Sequence, residues 1–177
     1  MKDTNPLHAP LLEALGNFER RTLPAGTLLF HGSRAGSPHT DAAAQRLTGT
    51  RKWLSEDAAY AVSYGFVDSD HLGVPLLWVC RTLHEITALQ GSQFGLRNVQ
   101  PWGAAFPGKF PTHFCDYACE ILGGPGPFAL LDHHDGNRYG EVLVTSPEAS
   151  IEVIEILPLP PVKTEAERFA RERFDLL

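Results

Sequence analysis

Apolar residues along this chain fall into short runs that are separated by glycine, proline and polar clusters. Runs of this length, rich in aliphatic and aromatic residues and bounded by turn formers, are typical of β-strands. They predict strands over 27–31, 50–54, 74–83, 85–89 and 150–159, and a strand–turn–strand unit over 127–147.

Helical patterns lie between these strands and return at the end of the chain. They predict helices over 11–18, 37–47, 55–65, 112–124 and 164–177. In the third helix, Ser55 is the expected N-cap and Gly65 the expected terminator. The last helix begins with a predicted capping box, Thr164 with Glu167. Its predicted apolar face consists of Ala166, Phe169, Ala170 and Phe174.

The balance of elements predicts the fold class. Strands dominate the middle and end of the chain, so we expect an α+β fold with mostly antiparallel pairing. The segment 95–111 is dense in glycine, proline and aromatic residues and is predicted to be a structured loop. Because no linker divides the 177 residues, we expect one domain over 1–177.

Composition narrows the class of protein further. Hydrophobic residues make up 43% and charged residues 20%, as in globular proteins with a substantial core. The net charge of −6 argues against a broad surface for nucleic acid or anionic membranes. No secretory signal or membrane span is recognisable, and the three cysteines are odd in number, which favours reduced thiols in the cytoplasm. A protein delivered into another cell without a signal peptide would have the same features.

Three short motifs carry candidate chemistry. The first, FHGS, places His31, Gly32 and Ser33 at the end of a predicted strand, where a simple turn is the commoner explanation. The second, KWLSEDAAYAVSYG, carries Trp53 on a strand and Tyr64 at helical spacing from Tyr60, a spacing that is also typical of core aromatics.

The third motif, YGEVLV, puts Glu141 at the start of an apolar strand, where a carboxylate is usually the solvated strand end. In this order the three motifs resemble those of the ADP-ribosyltransferase superfamily, closest to its His-Tyr-Glu branch of diphtheria-toxin-like toxins and poly(ADP-ribose) polymerases. The resemblance covers about 28–156. It implies a split antiparallel β-sheet with short flanking helices, and NAD⁺ as co-substrate with no metal required.

The resemblance also implies a role for each motif residue. Glu141 would be catalytic, stabilising the oxocarbenium-like ribose that forms as nicotinamide leaves. Gly32 would present its backbone to the nicotinamide carboxamide, His31 would contact the adenosine ribose, and Tyr64 would stack on the nicotinamide ring. Trp53 would form part of the same cofactor-binding wall.

Two serines, Ser33 and Ser55, are further cofactor-binding candidates by the same resemblance. The chain departs from the branch at Trp53, where a tyrosine is usual. It has Tyr139 where the arginine-modifying toxins carry a second glutamate, which disfavours arginine as the acceptor. The segment 132–139, which includes His133, His134 and Arg138, would correspond to the loop that selects the acceptor.

Other functions are also compatible with the sequence. The group of His113, Cys115, Cys119, His133 and His134 would suit zinc, although the usual paired spacing is missing. Cys115 is a weak candidate for the nucleophile of a hydrolase. A relative of the RNA 2′-phosphotransferases would be expected to have a basic face, which the net charge does not suggest.

The prediction is therefore a mono-ADP-ribosyltransferase that transfers ADP-ribose from NAD⁺ to an acceptor and releases nicotinamide. The alternatives are an NAD⁺ glycohydrolase and a catalytically silent NAD-binding module of the same fold. By extrapolation from the resemblance, we expect a bacterial toxin or effector with an inhibitor or immunity protein as a possible partner. The sequence leaves open whether the acceptor is protein, nucleic acid or a small molecule.

Overall fold

A computed structural model of the chain describes residues 19–38, 40–67, 73–92, 128–133 and 140–174. Of these, 19, 20, 89–92, 128–133 and 140 are described by their backbone alone. The predicted helices over 11–18 and 112–124 and the predicted loop over 95–111 lie outside the described residues.

The described residues form ten strands and three helices. The strands are β1 Glu19–Leu23, β2 Leu28–Arg34, β3 Thr40–Asp41, β4 Arg46–Leu47, β5 Arg51–Ser55, β6 Pro75–Thr82, β7 Ile86–Ser92, β8 Phe128–His133, β9 Gly140–Thr145 and β10 Ile151–Pro158. The helices are α1 Ala58–Val67, α2 Pro147–Ser150 and α3 Lys163–Phe174.

Eight of these strands form one sheet in the order β1-β7-β8-β9-β5-β2-β6-β10. Neighbours pair antiparallel except β7 and β8, which are parallel, so the predicted α+β class with mostly antiparallel pairing is confirmed. At the centre of the sheet, β2 and β5 are joined only by the pair of Phe30 and Ser55. On the outer side of β2, the ladder with β6 is continuous from Leu28 to Arg34. The sheet is therefore split between β2 and β5.

Hydrophobic residues are buried on both faces of this sheet. Helices α1 and α3 cover one face, where Phe30, Val62 and Ala166 belong to one buried cluster. Leu29 and Trp78 belong to a second cluster on the opposite face. This division follows from strand geometry, because successive side chains point to opposite faces. The predicted apolar face of the last helix is confirmed: Ala166 and Ala170 are fully buried, and Phe169 and Phe174 pack against the same cluster.

The predicted helix over 37–47 is wrong, because this segment forms the small hairpin of β3 and β4. Residues within the turn itself stabilise it. The Asp41 carboxylate accepts a hydrogen bond from the Ala44 backbone N–H at 3.0 Å, and Gln45 adopts a positive φ of 50°. An aspartate that satisfies nearby backbone donors in this way favours a turn over a helix.

Two predicted helix ends are also wrong. In α1, the cap is Asp57, whose Oδ1 accepts the Tyr60 N–H at 2.7 Å. Gly65 lies inside that helix, which continues to Val67. In α3, the first helical hydrogen bonds run to the carbonyl of Val162, so the helix starts before the predicted capping box. The boundaries differ by a few residues, while the helices themselves are present.

Candidate functional site

Gly32 sits where helix α1 crosses strand β2. A Cβ placed on Gly32 would lie 1.9 Å from the carbonyl oxygen of Ala61, which is a backbone atom of α1. Gly65, one turn further along α1, has a similar close approach, with its ideal Cβ 3.1 Å from the Ser33 carbonyl oxygen. The missing side chain of Gly32 therefore makes room for a helix. The predicted contact of the Gly32 backbone with a ligand stays a prediction.

The backbone of β2 alternates in the direction of its hydrogen-bonding groups. Just before the strand, the Thr82 N–H donates to the Thr27 carbonyl at 3.0 Å. Just after it, the Ala35 N–H donates to the Val74 carbonyl, also at 3.0 Å. In an antiparallel ladder, every second residue directs both its N–H and its C=O toward the partner strand. The odd-numbered residues of β2 therefore bond to β6.

It follows that Phe30 and Gly32 direct their N–H and C=O groups away from β6, toward β5. Phe30 meets Ser55 there, in the one pair that joins the two halves of the sheet. At Gly32 the strands have already separated. Its amide and carbonyl consequently point into the split, which keeps Gly32 a candidate for backbone contacts with a carboxamide. Strand β2 also does not end at His31 as predicted, but runs on to Arg34.

His31 bridges the split with its side chain. Its Nδ1 lies 2.8 Å from the carbonyl oxygen of Trp53 on β5. Because a carbonyl oxygen can only accept, Nδ1 carries the proton and donates, and in the neutral form of the ring Nε2 is then the acceptor nitrogen. His31 and Trp53 are both half-buried and line the cavity in the split.

Glu141 lies at the start of β9, directly opposite Ser55 of β5. Ser55 in turn lies opposite Phe30. Residues that face each other across antiparallel strands project to the same side of the sheet, so Glu141 is on the side covered by α1. Two phenols of that helix reach its carboxylate: Tyr60 donates to Oε1 at 2.5 Å, and Tyr64 donates to the same oxygen.

The two tyrosines form a compact pair. Their ring centroids are 5.6 Å apart in an edge-to-face arrangement, and their hydroxyl oxygens are separated by 3.1 Å. Burial, followed by the hydrogen bonds to Glu141 and Tyr60, raises the pKa of Tyr64 far above its usual range. Tyr64 therefore stays a hydrogen-bond donor at every physiological pH. Its predicted stacking on a nicotinamide ring stays a prediction.

Tyr60 is the site residue that the sequence did not single out. Its spacing of four residues from Tyr64 puts both on one face of α1, which had suggested a pair of core aromatics. In the structure neither ring is fully buried, and both hydroxyls are at Glu141. A pair of tyrosines on the helix that follows the Trp53 strand was the available signal.

The two candidate serines have structural partners. The Ser33 hydroxyl accepts a hydrogen bond from the indole Nε1 of Trp78 at 2.8 Å, in the core. The Ser55 hydroxyl accepts the Asp57 N–H at 2.9 Å and so supports the start of α1. Both serines also line the cavity, and their contacts with a ligand stay predictions.

The split holds a cavity of about 220 Å³. This is below the ~300–1,000 Å³ typical of sites for drug-sized ligands. Its lining includes one arginine, Arg34, and one acidic residue, Glu141. The lining consists of Phe30, His31, Gly32, Ser33, Arg34, Ser37, Trp53, Leu54, Ser55, Ala61, Tyr64, Val67 and Glu141.

The structure does not describe the side chains of the predicted metal and cysteine sites. His113, Cys115, Cys119 and His134 lie outside the described residues, and His133 is described by its backbone alone. Within the described ranges, no cluster of three or more His, Cys, Asp or Glu side chains could hold a metal ion. Cys80 is free and buried, and burial raises the pKa of its thiol to about 12. None of the helices in these ranges is long and apolar enough to cross a membrane.

The chain was also compared with known proteins. No family model matches the chain, and no curated protein matches it. The chain is similar in structure to a chain of the M. tuberculosis MbcT–MbcA toxin–antitoxin complex, with a TM-score of 0.50 and 14% identity. The match covers 90% of this chain and 97% of the other, so the two share a fold along nearly their whole lengths.

Proposed function

We propose that this protein is a mono-ADP-ribosyltransferase that cleaves NAD⁺ and transfers ADP-ribose to an acceptor. The observation that carries the proposal is the position of Glu141. Its carboxylate accepts hydrogen bonds from two phenols and lies in a cavity that Gly32 and His31 also line. These residues come from β2, α1 and β9, and the motifs that resemble the superfamily supply all of them.

The proposed chemistry needs a single carboxylate. As the bond between the ribose C1′ and the nicotinamide nitrogen breaks, its electron pair neutralises the pyridinium, and positive charge develops on the sugar. A fixed carboxylate beside the sugar stabilises that charge and accepts a hydrogen bond from the 2′-hydroxyl. The acceptor then attacks C1′ with a lone pair and loses its proton to a base or to solvent.

The two tyrosines orient the Glu141 carboxylate. Hydrogen bonds to a charged acceptor are worth roughly 1.5–3 kcal/mol each. Two such donors on Oε1 restrict the rotation of the Glu141 side chain before substrate arrives, so less ordering is needed in the transition state. Tyr64 is 42% exposed and belongs to the cavity wall, so its ring is positioned to meet a bound ligand.

The backbone of Gly32 would recognise the leaving group. An amide N–H and a C=O that point into the same split can pair with the oxygen and the NH₂ group of a carboxamide. Through Nε2, His31 would accept a hydrogen bond from a ribose hydroxyl, because the Trp53 carbonyl holds the proton on Nδ1. The arrangement supports NAD⁺ as the co-substrate, with no metal needed for this chemistry.

Transfer to water in place of an acceptor would make the protein an NAD⁺ glycohydrolase, with the same residues in the same roles. The likeness to a chain of a toxin–antitoxin complex favours a toxin that is held inactive by a partner protein. It supports the expected inhibitor or immunity partner, since a chain of similar structure occurs in such a complex.

The test uses NAD⁺ labelled in its adenylate half. Wild-type protein should release nicotinamide and transfer label to an acceptor in a bacterial lysate, or release labelled ADP-ribose when water is the acceptor. Glu141→Gln keeps the shape of the side chain and should lose both activities. Glu148→Gln changes an exposed glutamate of α2 and should retain them. Equal nicotinamide release by wild type and Glu141→Gln would refute the proposal, and NAD⁺ binding without turnover by wild type would favour the silent module.

A further inference from the structure

The Tyr64 hydroxyl is held at the carboxylate that the proposed function makes catalytic. It donates a hydrogen bond to Oε1 of Glu141, and Tyr64 lines the cavity in the split. Tyr60 donates to the same oxygen, but it is half-buried and is not among the lining residues. Because Tyr64 is 42% exposed and belongs to the cavity wall, it is the phenol of this pair that a bound ligand would meet.

A hydroxyl that donates to a carboxylate is arranged for general-base catalysis. Burial, followed by the hydrogen bonds to Glu141 and Tyr60, raises the pKa of Tyr64 far above its usual range. The phenol is therefore protonated when it meets a substrate, and it needs a base in order to act as a nucleophile. Glu141 accepts the hydrogen bond of that proton, so it is placed to take the proton as a new bond forms at the oxygen.

The proposed function places the reacting sugar at the same carboxylate. Glu141 would accept a hydrogen bond from the 2′-hydroxyl of the nicotinamide ribose, and C1′ is bonded to the carbon that bears this hydroxyl. In NAD⁺ the 2′-hydroxyl and the nicotinamide lie on opposite faces of the ribose. A hydroxyl held by Glu141 therefore approaches C1′ from the face opposite the leaving group, which is the side from which a nucleophile displaces it.

We infer that Tyr64 is a modification site and that the protein transfers ADP-ribose from NAD⁺ to this tyrosine of the same chain. This inference rests on the proposed function. The bond between C1′ and the nicotinamide nitrogen breaks and its electron pair leaves with nicotinamide, while a lone pair of the Tyr64 oxygen forms a new bond to C1′. The phenolic proton passes to Glu141 and then to solvent. NAD⁺ and tyrosine thus yield nicotinamide, O-(ADP-ribosyl)tyrosine and a proton.

A phenol is a weak nucleophile, but the sugar at this step does not need a strong one. An oxocarbenium-like ribose is electrophilic enough to react with water, and tyrosine is the nucleophile of some glycosidases. A hydroxyl that is already in place also avoids the entropic cost of bringing in a separate acceptor. Self-modification should therefore compete with hydrolysis when no other acceptor is present. The attached group would occupy the cavity, so a modified chain should be inactive.

The experiment incubates the purified protein with NAD⁺ and no added acceptor. Mass spectrometry of the intact protein measures how many ADP-ribosyl groups each chain gains, and nicotinamide release is followed in the same samples. Tandem mass spectrometry of peptides then locates the group. Wild-type protein should gain one group, at Tyr64, and nicotinamide release should slow as the modified fraction rises.

Tyr60→Phe is the matched control, because it removes the other phenol from the same carboxylate. It should still be modified at Tyr64, but more slowly. Tyr64→Phe should gain no group even after it has released as much nicotinamide as the wild type, since hydrolysis is the reaction left to it. The site found in the wild type decides the inference if Tyr64→Phe does not fold.

A mixture of two proteins tests whether the transfer stays within one chain. Wild-type protein labelled with heavy nitrogen is incubated with unlabelled Glu141→Gln, which retains Tyr64 but lacks the catalytic carboxylate. The two chains differ in mass, so their modification is measured separately. The wild type should be modified and Glu141→Gln should not.

Three results would overturn the inference: nicotinamide release by wild type with no gain in mass, a group attached at another residue in place of Tyr64, or equal modification of both chains in the mixture. Each of these leaves the proposed function standing, because NAD⁺ is still cleaved. Failure of the proposed function looks different. In that case the wild type releases no nicotinamide at all, and the inference fails with it.

Discussion

Replacement of Gly32 by alanine tests the contact that brings helix α1 to the split. The new Cβ would lie 1.9 Å from the Ala61 carbonyl oxygen and 2.9 Å from its carbonyl carbon. Both atoms belong to the helix backbone, so no side-chain rotation can relieve the overlap. Helix and strand would have to separate by more than an ångström, and Tyr60 and Tyr64 would move away from Glu141 with the helix.

Overpacking in a well-packed core costs about 1–3 kcal/mol, and this backbone overlap places Gly32→Ala at the upper end. At about 2–4 °C per kcal/mol for a chain of this size, the melting temperature should fall by roughly 6–12 °C. Nicotinamide release should fall as well, because the tyrosine donors are displaced. Calorimetry or circular dichroism measures the melting temperature, and the NAD⁺ assay measures the activity.

Gly65→Ala provides the matched control on the other side of the same crossing. Its Cβ would be 3.1 Å from the Ser33 carbonyl oxygen, a tight contact that a small adjustment can relieve. Alanine in a helix interior is also favoured over glycine by about 1 kcal/mol, which offsets the strain. We therefore expect a much smaller change than for Gly32→Ala. A Gly32→Ala protein as stable and active as wild type would show that the close crossing is not needed.

Two further predictions concern the tyrosines. Tyr60→Phe removes a donor to the Glu141 carboxylate and should lower kcat roughly 10- to 100-fold with little change in KM, as measured by nicotinamide release; an unchanged kcat in a folded variant would contradict its role. The raised pKa of Tyr64 means that the folded state holds this proton above pH ~10, where the unfolded chain releases it. Wild-type stability contributed by this proton should therefore be complete below about pH 10 and decline above it, whereas Tyr64→Phe should decline less. Urea titrations at pH 9, 10 and 11 measure this, and parallel pH profiles of the two proteins would disprove it.

The parts of the fold that followed from sequence are those with strong periodicity or flanking turns. Two examples are the strands that contain Trp78 and Ile156. Another is the apolar face of α3, with Ala166 and Ala170. They were predictable because the order of apolar and polar residues along the sequence indicates which side chains are buried. The segment 37–47 was not, since its alanines suit a helix while Asp41 and Gln45 set a tight turn. The hydrogen bond from the Ala44 N–H to the Asp41 carboxylate favours the turn over the helix that the alanines would otherwise form.

For the candidate site, the sequence predicted residues that lie close together, but not what each of them contacts. Ordered motifs brought His31, Gly32, Tyr64 and Glu141 together, and the structure lines one cavity with all four. The crossing of α1 at Gly32 was not predicted, because it depends on how the helix packs on the strand. Tyr60 was missed because the sequence alone does not show that the face it shares with Tyr64 points at a carboxylate.

A crystal structure of the protein with a non-cleavable NAD⁺ analogue would measure the central claim directly. The distance in question is that from the Glu141 carboxylate to the 2′-hydroxyl of the nicotinamide ribose. We predict a hydrogen bond of about 2.5–3.0 Å, with the carboxamide on the Gly32 backbone. An analogue bound elsewhere, or bound in the split with Glu141 turned away from the sugar, would contradict the assignment.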